Sequence, residues 1–417
     1  MPEGSKEGSK LPVWVFIQGG GYAGNANANT NGTDVVAAGH DVVFVQLNYR
    51  VGALGFLASE KIRADGDLNV GLLDQRQALQ WVQKYIHLFG GDPDHVVIHG
   101  ASAGAGSIAY HMTAYGGRND GLFAGAIPES PFFPTSRTVA ESEFQFDAVA
   151  SATGCSRAAD ELDCLRGLDI NTFQTANVAL SFPGGSGPPD YYFLPVIDGD
   201  FSRKQMYVQF ARGEFVRVPT LVGGDTNEGD IFVPNATTQA EANAFITDNF
   251  PNLTADDLDN INAAYPPTPR DGHGAYFAQV SATYGNSTFA CPGFVISSAV
   301  SRFVGQEHSW SYLYNIVDPT AGVGIGVTHT VDWQYIFGLT EADQTPVMMG
   351  YYLSFIRSLS PNTYKDPTSP VFGNFNSSLF NRLVINSPLN SSQMETVSDG
   401  QKAGCDVWYG LASTLEQ

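Results

Sequence analysis

Gly100-Ala101-Ser102-Ala103-Gly104 sets a serine among small neighbours, between a strand-like run ending at His99 and a helix-like run from Ala103 to Ala114. A sharp strand-to-helix turn in that position exposes the serine hydroxyl, and small residues on both sides are what so crowded a turn tolerates. Chance supplies such a pattern in roughly a third of chains this rich in Gly and Ser, so the flanking strand and helix carry the reading. Attack by a hydroxyl on a carbonyl also needs a base, an acid to orient the base, and donors for the oxyanion. Gly19-Gly20-Gly21-Tyr22 follows the first strand-like run, where backbone amides can approach an oxygen without side chains in the way. These amides fit half of an oxyanion hole, and Ala103, at the positive end of a helix, would supply the other donor.

For the base, the order nucleophile, acid, histidine leaves His273, His308 and His329 downstream of Ser102. His329 is preferred because it sits in Gly326-Val327-Thr328-His329-Thr330, a loop after a strand-like run at 310–316. For the acid, Glu228 follows another such run at 219–222, with Asp225 and Asp230 as close rivals; loops after strand C-termini are where parallel sheets keep their chemistry.

The elements that must position these residues alternate as strand and helix through the first half. Val13–Gln18, Val42–Asn48 and His95–His99 read as strands, and Leu72–Ile86 as an amphipathic helix stopped by Gly90-Gly91-Asp92-Pro93. Later strand candidates are 124–127, 219–222 and 310–316. The pattern predicts an α/β fold with a mostly parallel sheet flanked by helices. The 417 residues are read as one domain, with residues from about 140 to 417 including insertions that cap and line the site. Gly184 to Pro189 reads as an exposed loop.

Composition narrows the partners. The net charge is −21, from 42 acidic against 21 basic residues, and no Lys/Arg cluster interrupts it, which argues against a nucleic-acid surface. No apolar run reaches the roughly 18 residues of a membrane helix, and Met1 to Lys6 does not read as a signal peptide. Sequons at Asn31, Asn235, Asn252, Asn286, Asn376 and Asn390 are glycosylation candidates, and with an even set of four cysteines they point to the secretory route. Cys155 and Cys164 are close enough in sequence for a local disulfide, which leaves Cys291 to reach Cys405. No Cys-x-x-Cys or His-Glu-x-x-His spacing suggests a metal, and the chemistry requires no cofactor.

Longer motifs carry a resemblance. Val15-Phe16-Ile17-Gln18-Gly19-Gly20-Gly21-Tyr22, Asn48 to Phe56, Asn69-Val70-Gly71-Leu72-Leu73-Asp74-Gln75 and the run from Phe89 through Ser102-Ala103-Gly104 resemble the type-B carboxylesterase and cholinesterase-like family, in particular its fungal carboxylesterase branch. The resemblance covers nearly the whole chain and implies an α/β-hydrolase fold and hydrolysis of a small-molecule ester through an acyl-enzyme. It assigns Ser102 as nucleophile, Glu228 as acid and His329 as base, with oxyanion donors at Gly20, Gly21 and Ala103. It pairs Cys155 with Cys164 and Cys291 with Cys405, and it implies a buried Arg50–Asp74 ion pair beneath the site. Ser130 and Asp332 look like the family's supporting residues around the triad.

Two departures stand out. Ala101 replaces the family's usual glutamate before the nucleophile, so a carboxylate is expected to be missing beside Ser102. The chain also begins close to the oxyanion strand, without the N-terminal hairpins and first disulfide loop of typical members, which would leave a strand near β-sheet residues 13–18 unpaired. A non-catalytic adhesion module of the same family, or an acyltransferase using the same triad, are the alternative readings. Phe132, Phe133, Tyr191, Tyr192 and Phe232 are aromatic candidates for the substrate pocket.

Overall fold

The computed structural model describes residues 1–24, 30–39 and 41–417. Eight strands form one sheet in the order β2-β1-β3-β4-β5-β6-β7-β8. They are β1 (Leu11–Ile17), β2 (Val43–Gln46), β3 (Gly91–Ala101), β4 (Gly125–Glu129), β5 (Thr220–Val222), β6 (Ser309–Tyr314), β7 (Asn381–Ile385) and β8 (Gln393–Thr396). Every neighbouring pair is parallel except β7 and β8. β1 is paired on both sides, and among the described residues the sheet edges fall on four-residue β2 and four-residue β8, both short enough to offer little template for another strand.

Strand alternation divides the core into two layers. On β1, Val13, Val15 and Ile17 face one layer while Trp14 and Phe16 face the other. The first layer is completed by α1 (Val70–Tyr85), α2 (Ala103–Gly117), α3 (Phe277–Gly285) and α4 (Cys291–Phe303). The second is closed by α5 (Gln344–Ser358), which buries Tyr351, Tyr352, Phe355 and Ile356. α1 is amphipathic, burying Leu72, Gln75, Leu79 and Val82 at helical spacing, whereas α2 is buried along most of its length. The last long helix, α6 (Asp399–Leu411), is tied to α4 by the Cys291–Cys405 disulfide; the other bridge joins Cys155 to Cys164.

Strands from both sides of residue 140 enter this one sheet. The seam between them is β4 against β5, where the ladder contracts to Ala126 opposite Thr220 and a bridge between Glu129 and Gly223.

Candidate active site

Ser102 stands between β3 and α2 with φ 59° and ψ −126°, a left-handed-side conformation that a non-glycine residue adopts only where its surroundings enforce it. Those surroundings are tight. A Cβ added to Gly100 would lie 2.3 Å from the Gly104 carbonyl oxygen, and one on Gly104 would lie 2.0 Å from that of Ile17. The Ser102 N–H donates to the Glu129 carbonyl at 3.0 Å, and the Ser102 carbonyl accepts from Gly106 at 2.9 Å, locking the turn to β4 and to the helix. Gly19, after β1, packs against the same turn: a Cβ there would be 2.8 Å from that of Ser102. Gly20 and Gly21 both have positive φ, and Tyr191 lies so close over Gly21 that any side chain there would collide with its ring.

The loop after β5 holds Glu228, and the loop after β6 leads to His329. Glu228 Oε2 meets His329 Nδ1 at 2.5 Å, while its Oε1 accepts from Ser130 Oγ at 2.7 Å and the Asp225 N–H at 2.8 Å. The two loops are clamped together. Asn227 donates its N–H to the Val327 carbonyl at 2.8 Å and accepts from the Val327 N–H through Oδ1 at 3.0 Å. Asp230 accepts the Gly326 N–H at 2.8 Å and is itself paired with Arg270 at 2.6 Å and Ser281 at 2.6 Å. The rivals therefore have other tasks: Asp230 fastens the histidine loop, and Asp225 lies behind Glu228. His273 stacks on Phe277 and contacts the Val323 carbonyl, and His308 lies beside Glu307, both away from Ser102.

With a carboxylate on Nδ1, a neutral imidazole carries its proton there and turns the Nε2 lone pair outward. Nε2 has no hydrogen-bond partner among the described residues. Ser102, His329, Gly19 and Gly20 line one cavity of about 440 Å³, together with Phe16, Tyr191, Ile231, Phe232 and Trp333. Of the five aromatic candidates, Phe132, Tyr191 and Phe232 belong to this neighbourhood. Phe133 packs on Tyr207 and Tyr192 on Phe182, both in the core. Phe289, whose ring lies 4.2 Å from that of His329, was not singled out by sequence reasoning because an aromatic residue within a helical run reads as core.

Two expectations are corrected here. Arg50 and Asp74 do pair, Nε and Nη2 to the two carboxylate oxygens at 2.8 and 2.7 Å, but the side chains are 56% and 27% exposed. The pair is a surface tie between the loop before residue 56 and α1, a class of contact worth about 0–1 kcal/mol. The carboxylate expected to be missing beside Ala101 is supplied from the next strand. Glu129 lies in register with Ala101, fully buried, and His99 Nε2 meets its Oε2 at 2.8 Å.

Residues 1–406 match the carboxylesterase family. A secreted lipase of Botryotinia fuckeliana is 34% identical over 90% of this chain and 69% of its own length, and a secreted triacylglycerol lipase of Gibberella zeae is 33% identical over 87% and 65%. The crystal structure of EstA from Aspergillus niger superposes with a TM-score of 0.95 at 49% identity, covering 99% of this chain and 83% of that one. The chain belongs to the carboxylesterase family. It is a serine carboxylic ester hydrolase with the α/β-hydrolase fold.

The site of this carboxylesterase brings Ser102, Glu228, His329, Ser130 and the Gly20–Gly21 loop together at one end of the sheet, with Asp332 fully buried beneath it. Among its sequons, Asn31, Asn235 and Asn252 are exposed and lie outside helices and strands, Asn390 is exposed within the 3₁₀ turn Leu389–Ser391, and Asn376 is half-buried. Asn286 lies in a π-helical turn, Asn286–Ala290, between α3 and α4, and the threonine of its sequon, Thr288, is buried. No helix among the described residues is long and apolar enough to cross a membrane.

Proposed function

We propose that this carboxylesterase works through a covalent acyl-enzyme on Ser102, with His329 as base and Glu228 as its orienting acid. The observation that carries this reading is the Glu228–His329 contact, which directs Nε2 into the cavity that also holds Ser102 on its strained turn. Ser102 Oγ attacks the ester carbonyl carbon as its proton passes to His329 Nε2, and the carbonyl oxygen becomes an oxyanion. The N–H groups of Gly20, Gly21 and Ala103 take that charge, a contribution worth about 10²–10³ in rate per donor. Collapse expels the alcohol, which takes the proton from His329. Water activated by the same imidazole then releases the carboxylic acid and restores Ser102. Glu228 keeps the proton on Nδ1 and stabilises the transient imidazolium.

The relatives named as secreted lipases support an extracellular setting, as do two disulfides, which persist in oxidising compartments. The aromatic walls of the cavity suit an ester with an apolar part of modest size. Ser102→Ala should lower kcat on a short-chain aryl ester by about 10⁶-fold and abolish labelling by a fluorophosphonate, with the circular dichroism spectrum unchanged. A wild-type chain that is folded yet unlabelled would instead be the non-catalytic adhesion module. An acyltransferase would label but deliver its acyl group to an added alcohol in preference to water.

A further inference from the structure

Glu129 presents a problem of hydrogen-bond accounting. Its side chain is 0% exposed on the α5 side of the sheet, among Trp14, His99, Tyr312 and Tyr352. His99 offers it no positive charge. Trp14 Nε1–H, which can only donate, meets His99 Nδ1 at 3.2 Å, so the single proton of a neutral ring must be on Nε2, pointing at Glu129 Oε2. Burial also pushes the His99 pKa down to about 3, which keeps the ring neutral.

The second oxygen, Glu129 Oε1, is buried with no ordinary donor in reach, and the same is true of Asp332 Oδ1. The two carboxyl groups are themselves in hydrogen-bond contact. Two ionised carboxylates can only accept, so that contact requires one proton between them. The neighbours decide which group holds it. Asp332 Oδ2 accepts from Tyr312 Oη at 2.5 Å, and Asp332 is in hydrogen-bond contact with Asp225, which burial pushes well above the ordinary carboxylate range so that it donates as a neutral acid; donors therefore converge on Asp332. Glu129 has only the His99 N–H, and the charges of Asp332 and Glu228 repel any charge of its own.

We infer that Glu129 is a neutral carboxylic acid donating to an Asp332 carboxylate, a shared-proton pair that occupies the place of the carboxylate lost at Ala101 and leaves one negative charge, on Asp332, beneath Glu228 and His329. Glu129 is thus a positioning residue. It holds Asp332 on one side and, through its backbone carbonyl, the Ser102 N–H on the other. Burial raises its pKa well above the ordinary carboxylate range, in keeping with the neutral form. The titratable groups facing the pair are His99 from β3, Tyr312 and Tyr314 from β6, Tyr352 from α5, and Asp225, Glu228 and His329 from the two site loops.

The inference rests on the proposed triad only for its kinetic consequence, and its test separates the two. In Glu129→Gln the amide oxygen accepts from His99 and the NH₂ donates to Asp332, reproducing the neutral acid. This variant should keep its melting temperature, keep kcat/KM within about threefold, and leave the acid limb of the pH profile in place. Asp332→Asn removes the charge near the imidazole and should move that limb to lower pH by about half a unit or more. Glu129→Leu, with no donor or acceptor, should lose thermal stability that Glu129→Gln retains. The infrared difference between wild type and Glu129→Gln should contain the C=O stretch of a protonated carboxyl, a readout independent of whether Ser102 is the nucleophile. Absence of that band, or a folded Glu129→Gln whose acid limb shifts as in Asp332→Asn, would overturn the inference.

Discussion

Asn227 is the residue through which the acid and base loops are held at one spacing, since its backbone N–H and side-chain oxygen both engage Val327 two residues before His329. Its replacement by Ala removes an acceptor from a buried N–H without touching either reacting group. Because misplacing a base by about 1 Å costs roughly 10²-fold, Asn227→Ala should lower kcat by about 10–100-fold with KM little changed, measured by steady-state hydrolysis of an aryl ester. At this scale the sequence was legible where residue type is scarce. Few serines lie between glycines after a strand, and few histidines follow an acid in the required order. Glu129 was not legible, because an acid at a strand end reads as the start of a surface loop, and only the register of β4 beside β3 shows that it points inward. Arg50 and Asp74 failed in the opposite sense: the pairing was readable from the motif, the exposure was not.

α1 and α2 meet through a buried polar contact, His111 Nε2 to Gln75 Oε1 at 3.0 Å, and Gln75 passes on to Ser107 Oγ. Burial, assisted by the positive charge of Arg76, lowers the His111 pKa to about 3. The folded protein thus leaves this ring neutral where an unfolded chain protonates it, so its contribution to stability is full above the ordinary histidine pKa near 6.5 and is lost as pH falls toward 3. His111→Asn should therefore remove about 2 kcal/mol of the stability difference between about pH 7.5 and pH 5, read from urea unfolding of both proteins at each pH. Elements with uniform apolar runs, β1 to β6, were readable, although most boundaries moved by one or two residues and β3 starts at Gly91, well before the expected His95. β7 and β8 went unread. They follow a long irregular stretch, and exposed β8 lacks the apolar run that marks a central strand. The π-helical turn at Asn286–Ala290 was hidden for a related reason: its sequon suggests surface, while packing against the core determines where it lies.

The whole molecule is built in two parts that share one sheet. The proposed nucleophile and oxyanion loop come from residues before 130, the proposed acid and base from residues after 219, and the parts meet along the short β4–β5 seam. This division was only half visible in the sequence, where a boundary near residue 140 could be suspected but not the strand pairing that crosses it. The seam has a meaning in time. Like the pairings of β1 with β3 and of β5 with β6, the seam joins residues far apart in sequence, and pairings of such long separation form slowly, so the two halves of the site come together only when the seam closes. On refolding from denaturant with both disulfides intact, recovery of far-ultraviolet circular dichroism should precede fluorophosphonate labelling of Ser102. Simultaneous recovery of the two signals would mean that the seam closes with the rest of the sheet. A chain newly emerged from synthesis would then carry its strained serine for an interval in which it has no base, competent in shape but chemically silent.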